Sequence, residues 1–206
     1  LGLSGTPLNE AFISLHQIIP QFKQENKIQK VQCVILSDGE AGGMRYHREV
    51  QRRWEDEPFL GVGSLGCNSF LRNRKTGNTF SMDCEWWEMT DVFIRDIRDT
   101  FPESNFIGIR ILESRDANSF IRRYCGWASE KTEKTMKIWK KERAFALHNS
   151  GYHTYFGLSA NALSNGTEFD VDEGATKAKI KSAFAKSLKN KKMNKKVLSE
   201  FVELIA

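Results

Sequence analysis

The sequence predicts an α/β fold, a Rossmann-like and largely parallel sheet with flanking helices. Three observations predict it. Residues 31–36 (VQCVIL), 106–112 (FIGIRIL) and 152–158 are short apolar runs of the kind that fills a buried strand. Between and around them lie segments whose apolar residues recur at three- and four-residue steps, the period of a helix. Strand and helix therefore alternate along the chain, the order expected of a sheet built with crossover helices.

Taken in order, Thr6-Pro7 opens the first helix as a hydroxyl N-cap followed by proline at the first helical position. Leu8, Ala11, Phe12, Leu15, Ile18, Ile19 and Phe22 form its apolar stripe, and Pro20 is expected to kink or weaken its end. The run 31–36 reads as a strand buried on both faces, ending at Ser37-Asp38-Gly39-Glu40. Residues 41–87 are too long for an ordinary strand-to-helix connection and read as an insertion. Within it, 45–57 reads as a polar helix and 61–66 as a glycine-rich connector. The runs 70–72 and 79–81 read as a hairpin around Lys75-Thr76-Gly77-Asn78. A helix follows over 87–101 with Met89, Val92, Phe93, Ile97 and Phe101 on its stripe, then the strand 106–112. Asp116 caps a helix reaching Tyr124, 130–147 is helical, and 152–158 is the third strand. A last helical region spans 175–206, broken near 190–194. The organisation predicted is thus 1–40, an insertion 41–87, the rest of the α/β domain at 88–174, and a basic amphipathic segment at 175–206.

Composition narrows the function classes. At 206 residues the chain is about 1.4 typical domain lengths. Its 40% hydrophobic content excludes a disordered or collagen-like chain. No run approaches the length of a membrane span, and no basic segment followed by an apolar stretch opens the chain, so neither a span nor a signal peptide is expected. Cys33, Cys67, Cys84 and Cys125 form no C-x-x-C pair, which excludes a zinc framework and suits a reducing, cytoplasmic setting. Nine lysines stand against Glu200 and Glu203 in 177–206, a local +7, so the rest of this +5 chain sums to −2. The basic character belongs to one segment.

Residues with chemical potential are few. Gly61-Val62-Gly63-Ser64-Leu65-Gly66 matches G-x-G-x-x-G, but no helix pattern follows, so a flexible connector is expected rather than a nucleotide site. His16, His47, His148 and His153 are scattered without a nucleophile at catalytic spacing. Asp83, Glu85, Glu88 and Asp91 around Trp86-Trp87 suit a helix N-terminus better than a metal nuclease. No catalytic constellation is found, and the chain reads as non-enzymatic. Arg45, Arg48, Arg52 and Arg53 on one helix face would suit an acidic partner or phosphate. Lys186, Lys189, Lys191, Lys192, Lys195 and Lys196 are the candidate contacts if the partner is a nucleic acid. One pairing stands out: Thr6, where a helix begins, and Asp38, where a strand ends. A hydroxyl and a carboxylate converging at the carboxyl end of a sheet suit Mg²⁺, a hard cation that takes oxygen ligands.

That pairing resembles a known family. Gly5-Thr6-Pro7-Leu8, an amphipathic helix, and an apolar strand ending in Ser37-Asp38-Gly39-Glu40 are similar to two of the metal-site motifs of von Willebrand factor A domains. The wording GTPLNEA, with KVLSEFVELIA near the C-terminus, resembles the intracellular cobaltochelatase (CobT) branch, including phage-encoded versions. The resemblance implies Thr6 as a metal ligand and Asp38 as one acting through water, with Mg²⁺ as the cofactor. It implies a non-enzymatic partner of a MoxR-type AAA+ ATPase, working in the cytoplasm, the host's if phage-encoded. It also implies that the family's D-x-S-x-S strand, absent from these residues, lies upstream of Leu1 and is needed to complete the sheet. A nucleic-acid-binding accessory protein using the lysine-rich segment is the alternative, and a subunit of a metal chelatase or metal-dependent nuclease the weaker one.

Overall fold

Nineteen residues, Leu8–Asn26, form helix α1, with Asn9, Phe12 and Ile19 buried on one side. It runs through Pro20 and ends at Lys27, which adopts the left-handed conformation that closes a helix. This computed structural model describes residues 5–160, 176, 178–179, 181–182 and 195–205. Two compact units divide the chain: Leu1–Cys33 with Gly39–Phe106, and Val34–Asp38 with Ile107–Ala206.

In the first unit α1 packs on α2 (Met89–Thr100). Phe12, Ile19, Met82, Met89, Val92, Phe93, Ile94, Ile97 and Phe101 are all buried there. Helix α2 is covered nearly all round, so its polar residues must find partners inside. Thr90 donates its hydroxyl to Asn9 Oδ1 at 2.8 Å, and Asn9 donates to the Gly42 carbonyl at 3.1 Å. The hairpin of β4 (Phe70–Arg72) and β5 (Thr79–Ser81) forms as predicted around Lys75-Thr76-Gly77-Asn78. Asn73 fastens it to α2: its Nδ2 donates to Asp96 Oδ1 at 2.8 Å and to Thr100 Oγ1 at 2.7 Å. Its Oδ1 accepts from the backbone of Lys75 and Thr76, which shapes the turn.

Two expectations within 41–87 are corrected. Residues 45–57 are not a helix; β2 (Arg45–Val50) pairs antiparallel with β3 (Phe59–Ser64) as a two-stranded ribbon. The glycine-rich stretch is therefore mostly strand and not a connector. The glycines have a packing reason: a Cβ on Gly63 would sit 2.6 Å from the Tyr46 ring, and one on Gly61 2.7 Å from Val50 Cγ2. The side chains of β2 lie across the bare backbone of β3.

The second unit holds a four-stranded sheet in the order β1-β6-β8-β7, with β1 at Gln32–Ser37, β6 at Asn105–Leu112, β7 at Ala144–Leu147 and β8 at Thr154–Ser159. Strands β6 and β8 are parallel, with Ile107 opposite Thr154 and Leu112 opposite Ser159; β7 joins β8 antiparallel. The Val31 carbonyl, just before β1, accepts from the Asn105 N–H that begins β6, so those two strands start at one end and run the same way. The α/β class expected from sequence holds, as a mixed sheet with flanking helices.

Helices α3 (Asp116–Cys125) and α4 (Glu130–Glu142) cover one face. Phe120 meets Phe145 and Tyr155 with ring centroids 6.1 and 5.3 Å apart, and Trp139 meets Phe145 edge-on at 5.8 Å. On the other face α5 (Lys195–Ile205) brings Phe201 and Leu204 against Ile107, Ala144 and Phe156.

Three boundaries differ from expectation. Helix α4 stops at Glu142 because Arg143 turns left-handed, and 144–147, expected as helix, form strand β7. Arg115, not Asp116, occupies the cap position of α3; Asp116 sits in its first turn. Strand β1 is not buried on both faces. It is an edge strand of alternating burial, with Val34 and Leu36 44% and 67% exposed. The expected break near 190–194 lies outside the described residues.

A methyl group on Gly157 would lie 2.3 Å from the ring of Phe145, which is fully buried and has nowhere to go. Gly157→Ala is expected to cost about 1–3 kcal/mol in urea denaturation. Gly42→Ala, with nothing within 4 Å, should leave the midpoint unchanged.

Candidate functional site at the carboxyl edge of the sheet

Because β1, β6 and β8 run the same way, their carboxyl ends share one edge. Asp38 follows β1, Glu113 and Ser114 follow β6, and β8 ends at Ser159. Ligands of open α/β sheets bind outside that edge, where backbone leaves the sheet and exposes its last polar groups. A cleft of about 360 Å³ opens there, lined by Leu112, Glu113, Ser114, Arg115, Ser159 and Ala160.

Its charged wall is an exposed ion-pair group: Arg115 Nε lies 2.9 Å from Glu113 Oε2 and 3.8 Å from Asp116 Oδ1. The Ser159 N–H donates to the Arg143 carbonyl at 3.0 Å, which fixes the rim at the end of β8. Arg110 of β6 has its Nε and Nη1 buried without a hydrogen-bond partner among the described residues. Glu113, Ser114 and Ser159 were missed in the sequence. The signal was present, since an oxygen-bearing side chain follows each apolar run at the point where Asp38 follows the first.

Thr6 and Asp38, the residues singled out above, belong to different units. Asp38 is exposed in the bend after β1. Thr6 is half-buried and does not cap α1; Pro7 takes the cap position and no side-chain cap bond forms. Instead Thr6 makes an isolated parallel bridge with Ala41, and its carbonyl accepts from the Leu8 N–H at 2.8 Å. Among the described residues no group of three or more His, Cys, Asp and Glu side chains is arranged to hold a metal ion.

The arginines do not share one helix face. Arg45 and Arg48 lie on opposite faces of the β2–β3 ribbon, since strand neighbours alternate. Arg52 stacks over Phe59, 4.6 Å from the ring centre, and lies 3.7 Å from Glu55; Arg53 is exposed beside it. Lys186, Lys189, Lys191 and Lys192 lie outside the described residues. Lys195 and Lys196 begin α5, with side chains that also lie outside them.

Two of the histidines face carboxylates. His16 Nε2 lies 2.9 Å from Asp96 Oδ2, the carboxylate that also holds Asn73, and His148 Nε2 lies 3.0 Å from Glu200 Oε1. Glu88 stands at the cap position of α2 without a side-chain cap bond, and Asp91 sits in its first turn, where the helix dipole favours negative charge. No helix among the described residues is long and apolar enough to cross a membrane.

The thiols separate by environment. Desolvation pushes the half-buried Cys33 up from its ordinary pKa. Desolvation first and then the Glu88 carboxylate do the same for Cys84, while Cys67 is exposed. A raised pKa leaves less thiolate, the reactive form, at any pH below it. Comparison with protein-family models, with curated proteins and with solved structures finds no match to this chain. In timed iodoacetamide labelling at about pH 8, followed by mass spectrometry, Cys67 should be modified several-fold faster than Cys33, Cys84 or the buried Cys125. Equal rates would contradict the environments described.

Proposed function

We propose that this chain is a non-enzymatic protein-interaction module with a von Willebrand factor A framework of the intracellular cobaltochelatase-like branch. It docks a MoxR-type AAA+ ATPase through a Mg²⁺ ion held at the carboxyl edge of its sheet. The observation that carries the reading is the parallel bridge between Thr6 and Ala41. It joins Thr6 to Ala41, the residue that follows Ser37-Asp38-Gly39-Glu40 in the chain, which supports reading the two motifs together. The donors are all oxygens, the Thr6 hydroxyl and the Asp38 carboxylate, the set a hard cation accepts. Thr6 and Asp38 would hold the Mg²⁺, which would supply the positive charge that attracts an acidic side chain of the ATPase. Asp38 is exposed in a bend, where it can act directly or through water without rearranging a core.

The test is calorimetry of the complete protein with its ATPase, with and without EDTA. EDTA should abolish binding, and Thr6→Ala and Asp38→Ala should each weaken it by about tenfold or more, as loss of one charge-assisted contact does. Circular dichroism should be unchanged in both. Binding that survives EDTA and both substitutions sinks the metal-dependent docking.

A further inference from the structure

A two-stranded hairpin alone is marginal in water, and β2–β3 is one: its sheet has two strands, and neither packs broadly on another named element among the described residues. Which backbone groups it leaves open follows from its register. The Leu65 N–H donates to the Met44 carbonyl at 3.1 Å, one step beyond the pair Arg45–Ser64. Hydrogen-bonded pairs alternate along an antiparallel ladder, so 46–63, 48–61 and 50–59 carry the bonds. The N–H and C=O groups of Arg45, His47 and Glu49 therefore point away from β3, along the outer edge of the ribbon. All three side chains are exposed.

Natural edges are commonly guarded by like charges that repel a second strand. This edge reads Arg-x-His-x-Glu, with opposite charges at equal distance from a central histidine. We propose that the outer edge of β2 pairs antiparallel with the same edge of a second copy of this chain, about a two-fold axis at His47. In that register Arg45 faces Glu49 of the other copy, Glu49 faces its Arg45, and the two His47 side chains meet at the axis. All six open backbone groups at positions 45, 47 and 49 on each copy find partners. On the opposite face Tyr46 falls beside Arg48 of the other copy, an aromatic–guanidinium pair. Two marginal ribbons become one four-stranded sheet. The next registers that match open backbone groups, two residues either way, would oppose His47 to Arg45 or to Glu49 and break both Arg45–Glu49 pairs, so the charges select the register as well as the partner. The patch is small, and association is weak and concentration-dependent.

The test is sedimentation equilibrium of the full chain at low salt, for wild type, Arg45→Glu, Glu49→Arg and the double swap. Wild type should form a concentration-dependent dimer. Each single swap places like charges opposite one another twice, because the axis doubles every change, and should weaken it by about tenfold or more. The double swap should restore it, and mixing the two single variants should yield a heterodimer. Arg45 and Glu49, the two positions altered, are exposed, and should either single swap fail to fold the other still decides. A wild type that stays monomeric overturns the proposal, as do single swaps that dimerise like wild type. The latter result would place self-association elsewhere, such as on the uncharged edge of β3.

Discussion

Two parallel neighbours cannot be joined by a hairpin, and that constraint on β6 and β8 organises the second unit. After Leu112 the chain must leave the sheet, cross a face, and return to the starting end before Thr154. It does so through α3, α4 and β7. The crossing places Phe120, Ile121 and Trp139 over the sheet, which buries the face carrying Phe145 and Tyr155. The same constraint puts the carboxyl ends of β6 and β8 side by side, so Glu113 to Arg115 and Ser159 to Ala160 become the two walls of one cleft. Close aromatic packing on that face in turn requires glycine at 157, opposite Arg110 in the parallel register.

The first unit depends on a different device. Helix α2 is buried on nearly every side, and its polar residues hold what surrounds it in place. Asp96 receives Asn73 from the β4–β5 hairpin and faces His16 from α1, while Thr90 holds Asn9. One carboxylate thus ties the β4–β5 hairpin and a long helix to a common scaffold. Such satisfied networks specify an arrangement more than they stabilise it, because partners lost on one side leave a buried charge on the other. His16, scattered by sequence, reaches that carboxylate with its Nε2 at 2.9 Å.

Legibility followed how far the determining interactions reach along the chain. The strands 106–112 and 152–158 and the helix stripes of α1, α2 and α3 were readable because periodicity is a local record of which side faces a core. The β4–β5 hairpin was readable from Gly77, whose positive φ the turn requires. The ribbon was not. Its β2 sequence is polar throughout, and β3 carries glycines that look like a connector until Tyr46 and Val50 are seen to occupy their missing side chains. The end of α4 was hidden because a left-handed arginine took the place where glycine usually marks a stop.

By itself the sequence determined the alternation of strand and helix, hence the α/β class, and it marked Thr6 and Asp38 as oxygens at element ends. Those properties are local: side-chain shape, period and turn chemistry act over a few residues. Only the tertiary structure decided that Glu113, Ser114 and Ser159 share an edge with Asp38, that Thr6 bridges Ala41, and that β1 is an edge strand with one open face. Strand order and direction are set by pairing between residues tens of positions apart. Nothing in a single run of apolar residues records which neighbour it will meet.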